Sequence, residues 1–351
     1  MSIARMARPR IVLLMFGVAL VFGSCAGLKA SLDTNGLKDI EKAIRNDLKE
    51  TTQVSDLNAF LADYLISTNP IAAPEAFYRE KMTRWEFSPK DSGGPVSAER
   101  LSLPSGAYFY FFKPQSWSGD KAVVFAPGFG VSDFAFRFIK KFFQDQLIRG
   151  YAILVWVPPF HLERLGPSGV AGRGLITEDP RELLRHVASS VGEVAAGLGW
   201  LEAQGVRRIG AWGGSFGASI LLLLGTEYRF NHISMMIPLI DWRELWKSEA
   251  LTDLRKAFID VGYAESDLLS AFERISPLDK LPRTPPDRIQ ILYAELDQLS
   301  PAATVLEYAD RLYGTLSGEN RPLYGFDESH TTILLNSKVY RTYADFLESM
   351  D

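Results

Sequence analysis

Arg208-Ile209-Gly210-Ala211-Trp212-Gly213-Gly214-Ser215-Phe216-Gly217-Ala218-Ser219-Ile220-Leu221-Leu222-Leu223-Leu224 is the stretch that decides how the chain is read. A short apolar run at 208–212 ends in two glycines, and a longer apolar run opens just past a third. That pattern predicts a buried strand, a tight turn and a helix. Ser215 stands at the turn, in a G-x-S-x-G arrangement whose meaning depends on this strand-turn-helix setting. The glycines have a steric reason: the serine occupies a strained turn, and small neighbours let strand and helix approach closely. The helix N-terminus aims backbone N–H groups at the serine and favours negative charge developing there. Ser215 is the candidate nucleophile.

Outward from this stretch, strands and helices alternate. The aromatic run Ala107-Tyr108-Phe109-Tyr110-Phe111-Phe112 predicts a strand within 103–113, and the apolar run 121–126 is stopped by Pro127-Gly128. A helical pattern follows through Phe134, Phe138, Phe142 and Leu147, and the next strand, 151–157, is closed by Pro158-Pro159. Helical residues 181–202 lead into 208–212, and later strands are predicted at 233–240, 289–293 and 322–326. Continuous apolar strands separated by helices imply a mostly parallel sheet covered on both faces. In such sheets, sites form at the carboxyl ends of the strands.

A serine hydroxyl needs a base. Of the four histidines, His330 lies in Gly325-Phe326-Asp327-Glu328-Ser329-His330, just after the last strand and before the final helix. His232 begins a strand at the opposite end of the sheet and His186 lies within a helix, so both read as structural or surface residues. An acid must orient the imidazole and stabilise its protonated form. Asp297, after strand 289–293, is the first choice, and Asp241, at the end of 233–240, is the alternative. Two N–H donors are needed for an oxyanion. They are assigned to Phe216, which follows the nucleophile, and to Phe129 in the loop Pro127-Gly128-Phe129-Gly130.

These residues resemble the α/β-hydrolase superfamily from about residue 95 to the C-terminus, in the turn at Ser215, the 127–130 loop, Arg149-Gly150-Tyr151, and the Asp297 and His330 loops. The order Ser215, Asp297, His330 is the order that superfamily uses. The resemblance implies an α/β-hydrolase fold, with a mostly parallel central sheet, helices on both faces and a small helical cap, here at about 242–286. It implies a serine hydrolase that cleaves carboxylic esters or thioesters of small molecules through an acyl-enzyme, with no metal or organic cofactor. Aromatic cap residues, Trp242 first among them, read as the wall of an acyl pocket or equally as packed core.

Two stretches depart from the common pattern. Many members have His-Gly where this chain has Pro127-Gly128. Where many have Asp-x-x-Gly, this chain has Pro158-Pro159-Phe160-His161-Leu162-Glu163-Arg164, which resembles a poorly characterised branch of abhydrolase-domain proteins. His161 and Arg164 fall on the active-site side of the sheet and read either as contacts for an anionic or hydrogen-bonding substrate group or as loop residues paired with nearby carboxylates. One alternative function is a serine peptidase or amidase, since Gly213-Gly214-Ser215-Phe216-Gly217 is also similar to the corresponding turn of prolyl-oligopeptidase relatives. Those relatives carry a propeller domain of several hundred residues, for which 351 residues leave no room. The other alternative is a non-catalytic envelope binding protein on the same fold.

The chain is 47% hydrophobic and 23% charged, the balance of a globular protein with a sizeable core, and its net charge of −4 provides no basic surface for nucleic acid. Arg5, Arg8 and Arg10 precede an apolar run from Ile11 to Phe22. As a helix that run rises about 18 Å against roughly 30 Å of hydrocarbon, which suits a signal segment better than a membrane span. It ends in Val21-Phe22-Gly23-Ser24-Cys25, which resembles the lipobox of bacterial lipoproteins, with Phe22 where that motif has Leu or Val. Cys25, the one cysteine, is then the lipidation site, and the expected location is the periplasmic face of a bacterial membrane. Ordinary cleavage and a soluble exported protein are the alternative. Residues 26–70 follow as a polar helical segment with Leu37, Ile40, Ile44 and Leu48 at helical spacing, read equally as a spacer or as a helix packed on the main domain. The main domain is expected at 71–351; oligomeric state is not legible in the sequence.

Overall fold

Alternation of apolar side chains along central strands puts half of them on each face of a sheet, and here both faces are covered. In the computed structural model, the described residues are 78–350 apart from 83–84, 104–105, 167–168, 315 and 317–320, together with 56–64, 66 and individual positions between 26 and 48. Residues 1–25, including the expected signal segment and Cys25, lie outside the described residues, as do Leu37 and Ile40. The strands are β1 (Tyr78–Lys81), β2 (Val96–Ser102), β3 (Tyr108–Pro114), β4 (Lys121–Ala126), β5 (Ala152–Val157), β6 (Arg208–Gly214), β7 (Ile233–Met236), β8 (Ile289–Ala294) and β9 (Leu323–Phe326). They form one sheet in the order β1-β2-β3-β5-β4-β6-β7-β8-β9. From β5 to β9 every pairing is parallel, and β1, β2 and β3 add an antiparallel edge.

Val124, Leu154 and Trp156 face one core with the helices Pro180–Ala203 and Phe216–Gly225. Val123, Phe125, Ile153 and Val155 face the other, with Phe136, Phe142, Phe143 and Tyr343 from the helices Asp133–Ile139, Lys141–Ile148 and Ser337–Met350. The Phe125 and Trp212 rings stack at 4.1 Å on that side.

Three details differ from the sequence reading. Strands β1 and β2 were not anticipated, because an edge strand such as Tyr78-Arg79-Glu80-Lys81, exposed throughout, carries no apolar run. The helix predicted through Phe134 and Leu147 is two helices meeting at Lys140. Strand 233–240 ends at Met236, where Ile237 takes a φ of 44° and donates its N–H to the Leu292 carbonyl at 2.7 Å.

After β7 come the helices Trp242–Lys247, Thr252–Asp260 and Glu265–Ile275. Their aromatic side chains pack on one another: Trp246 lies 5.6 Å from Phe258 and 5.1 Å from Phe272, and all three are buried. These rings extend the core that covers the Val124 and Leu154 face of the sheet. In the N-terminal segment Ile44 and Leu48 are buried, as are Lys29 and Asp33.

Candidate active site

β6 delivers Ser215 at its carboxyl end, and the following helix begins with Phe216. Ser215 has φ 49° and ψ −116°, a conformation that costs an L-residue about 1–3 kcal/mol and persists only when its surroundings fix it. They do so here: its N–H donates to the Met236 carbonyl at 2.9 Å, and its own carbonyl accepts from Ser219 at 3.2 Å and Leu239 at 3.3 Å. Gly217 is required, since a Cβ there would sit 2.0 Å from the Ala126 carbonyl oxygen. The helix therefore starts directly against the end of β4, where the 127–130 loop leaves the sheet. A Cβ on Gly128 would come within 3.1 Å of the Ser215 Cβ, so that loop lies on the serine itself.

The structure brings Ser215, His330 and Asp297 into one hydrogen-bonded relay. Asp297 Oδ1 accepts the N–H groups of Leu299 and Ser300, both at 2.8 Å, which fixes the carboxylate and leaves Oδ2 for His330 Nδ1 at 2.8 Å. With Nδ1–H donating to a carboxylate, Nε2 is the acceptor, and it receives the Ser215 hydroxyl at 2.8 Å. Asp297 is 5% exposed and the His330 side chain 12%, while Ser215 is half-buried, so the relay is sheltered. Burial pushes the His330 pKa down, but the charge and hydrogen bond of Asp297 and the charge of Asp33 outweigh it and hold the imidazole above the ordinary histidine value.

Asp241 is elsewhere engaged. Because β7 stops at Met236, Asp241 sits beyond the strand as the N-cap of helix Trp242–Lys247, accepting the Arg243 N–H at 2.9 Å. Its carboxylate also takes the Arg243 guanidinium as a fork, at 2.9 and 2.8 Å, and the Ser276 hydroxyl at 3.1 Å. Burial would raise its pKa, but the Arg243 bonds and charge and the Ser276 bond hold it below the ordinary carboxylate range.

The residues proposed as substrate contacts have other partners. Arg164 places both terminal nitrogens on Glu193, at 2.7 and 2.8 Å, and one of them also on the Val157 carbonyl at 2.9 Å. Glu193 accepts the Trp156 indole N–H at 2.7 Å as well. Arg164 thus braces the loop after β5 against helix Pro180–Ala203, with its charge neutralised there. Trp242 is 4% exposed, donates its indole N–H to Ser219 at 3.2 Å, and meets the Phe216 ring edge-on at 6.0 Å. It forms part of the wall behind the serine helix.

His161 has no exposed surface. Its Nδ1 donates to the Pro159 carbonyl at 2.7 Å, which leaves Nε2 to accept the Gly130 N–H at 2.8 Å. Burial pushes its pKa down to about 4, so the ring is neutral and able to accept at neutral pH. The Phe129 ring stands edge-on to it at 5.7 Å. His161 therefore fastens the loop that carries Phe129. The positive φ values of Phe160 (62°) and Leu162 (50°) on either side mark the turn that aims it. Phe216, as the first residue of its helix, has an N–H with no intrahelical partner. His232 is fully buried and His186 Nδ1 bonds the Leu175 carbonyl at 3.0 Å, both away from the relay.

One residue at the site was missed. Asp33, from the N-terminal segment, is 1% exposed and accepts hydrogen bonds from the loops of both His330 and Asp297. Nothing in the sequence separates it from the other acids of that polar segment except its place four residues after Lys29, on the same face of a helix.

No protein-family model matches the chain, and no curated protein matches its sequence. Solved structures do resemble it. A protein of Thermus thermophilus is 18% identical with a TM-score of 0.53, covering 73% of this chain and 98% of its own. A cold-adapted esterase from an Arctic intertidal metagenomic library is 17% identical with a TM-score of 0.51, covering 79% of this chain and 99% of its own. With its mostly parallel sheet, flanking helices and serine turn at the end of β6, the chain has the α/β-hydrolase fold.

Proposed function

We propose that this protein is a serine hydrolase that cleaves carboxylic esters or thioesters by acyl transfer to water. The observation that carries the reading is the continuous relay from Ser215 Oγ through His330 to Asp297, with both links at 2.8 Å and the serine on a strained turn. A hydrogen-bonded serine, histidine and buried carboxylate is the arrangement that makes a weak hydroxyl nucleophilic.

In this mechanism Ser215 Oγ attacks the substrate carbonyl carbon while His330 Nε2 takes its proton. Asp297 stabilises the imidazolium through Nδ1–H. The oxyanion is held by the N–H groups of Phe216 and Phe129, each donor of this kind being worth about 10²–10³ in kcat. Collapse of the tetrahedral intermediate expels the alcohol or thiol, which takes the proton from His330. Water then attacks the acyl-enzyme with His330 again as base, and Ser215 is released.

We also propose export and lipidation at Cys25. Asp33 lies eight positions after Cys25, a separation of at most about 29 Å when extended, which would keep the site close to the membrane surface and to the esters found there.

The test is turnover of p-nitrophenyl esters from acetate to laurate beside matched arylamides and peptides. Ester hydrolysis that Ser215→Ala abolishes supports the reading. Cleavage of amides without esters would replace it with a peptidase, and no turnover of either class would leave a binding protein.

A further inference from the structure

We infer that Asp33 is a positioning residue for the His330 base, so that the N-terminal segment is part of the catalytic apparatus. This inference rests on the serine-hydrolase reading above.

The Asp33 carboxylate is filled by donors from the two loops that matter. Oδ2 accepts the His330 N–H at 3.0 Å and the Gln298 N–H at 3.3 Å; Oδ1 accepts the Thr331 N–H at 3.1 Å and the Thr331 hydroxyl at 2.7 Å. Gln298 adjoins Asp297, so one buried carboxylate ties the backbone beside the acid to the backbone of the base itself. Those two loops follow different strands, β8 and β9, and Asp33 cross-links them from outside the sheet. Lys29 adds a second tie, bonding the Asp327 carbonyl and pairing with Glu328 at 3.3 Å.

A solvated spacer has no use for a fully enclosed acid. A buried carboxylate is stable only when its lone pairs are taken by good donors, and its four donors among the described residues all belong to these two loops. The charge also acts on the imidazole. Among the described residues the charges that act on His330 are Asp297 from the β8 loop and Asp33 from the N-terminal segment, while Asp327 and Glu328 on its own loop pair with Lys29. Asp33 therefore orients the base and favours its protonated form, as Asp297 does from Nδ1. The sequence separation of 297 residues means that the site is completed only when the N-terminal segment docks.

The experiment compares the full chain with Asp33→Asn and Thr331→Val. The readouts are kcat and KM per titrated active site across pH, and the His330 imidazole titration by NMR, practical with four histidines. Asp33→Asn removes the charge and two acceptor sites. It is expected to lower kcat by on the order of 100-fold with KM little changed, and to move the acid limb and the imidazole midpoint to lower pH. Thr331→Val keeps the charge, so it is expected to lower kcat several-fold without moving the limb. A merely structural Asp33 would lower melting temperature and yield while leaving kcat per active site, the limb and the imidazole midpoint in place, and that result would overturn the inference. The imidazole titration does not depend on turnover. If it shifts in Asp33→Asn while the parent hydrolyses nothing, the positioning stands and the hydrolase reading falls. Normal turnover with no shift refutes the positioning alone.

Discussion

Asp241 and Asp297 are nearly the same residue in two places. Each follows a strand of the parallel half of the sheet, each is 5% exposed, and each turns one oxygen back to the N–H two residues on, Arg243 at 2.9 Å and Leu299 at 2.8 Å. The difference is the side chain that carries that N–H. Arg243 wraps its guanidinium onto Asp241 and consumes the carboxylate, whereas Leu299 offers nothing, and the free oxygen of Asp297 is left for His330. The same local turn thus makes a helix cap with a salt bridge in one loop and an orienting acid in the other. Position at a strand end does not separate these outcomes; the availability of a counter-charge does.

The largest effect that would break this comparison is on turnover. Asp297→Asn is expected to lower kcat by about 10⁴, the scale seen when the acid of such a relay loses its charge. Asp241→Asn is expected to stay within a few-fold of the parent. Steady-state ester kinetics on both variants decide the matter, and a collapse in Asp241→Asn alone would reverse the assignment.

A smaller effect concerns the histidines, which divide in the same way. His330 is held protonatable by carboxylates, while His161 is kept neutral by burial and used as an acceptor for Gly130. His161→Leu removes that acceptor from the loop bearing Phe129. A kcat loss on the order of 100-fold with KM little changed is expected, and an unchanged kcat would detach the loop from the chemistry.

The pH profile sharpens the contrast further. The base works when neutral, so kcat/KM is lost as pH falls through the His330 pKa, with a midpoint above the ordinary histidine value. Asp241→Asn should leave that midpoint in place, and Asp297→Asn should move the midpoint of its residual activity downward.

The smallest effect is on stability. Asp241→Asn weakens a helix cap and an ion pair, at a cost of about 1 kcal/mol. Since the folded-state pKa of Asp241 is depressed, its contribution is present above the ordinary carboxylate range and is lost as pH falls through the folded value. Thermal melts of parent and variant should differ near neutrality and converge in acid.

Much of this site was legible in the sequence because its steric needs leave marks. A glycine at 217, where a Cβ would strike the end of β4, and a histidine in the loop after the last strand are both visible in one dimension. The sheet was legible wherever strands are buried on both faces, and was lost at β1, whose residues are all exposed. The sequence leaves Arg164 and Trp242 open between substrate contact and structural pairing, because their partners, Glu193 and Ser219, lie on helices that it does not place next to them. Asp33 was invisible for the same reason in reverse. Its donors are mostly backbone N–H groups nearly three hundred positions away, and backbone donors have no sequence signature.

The central claim is that Ser215 is activated by His330 and Asp297. Its most direct test is labelling by a fluorophosphonate probe, read by intact mass on the parent, Ser215→Ala, Asp297→Asn and Asp241→Asn. The account predicts one adduct, on Ser215, formed rapidly in the parent and in Asp241→Asn, much more slowly in Asp297→Asn, and not at all in Ser215→Ala. Equal labelling of Ser215→Ala, or rapid labelling of Asp297→Asn beside an unreactive Asp241→Asn, would contradict it.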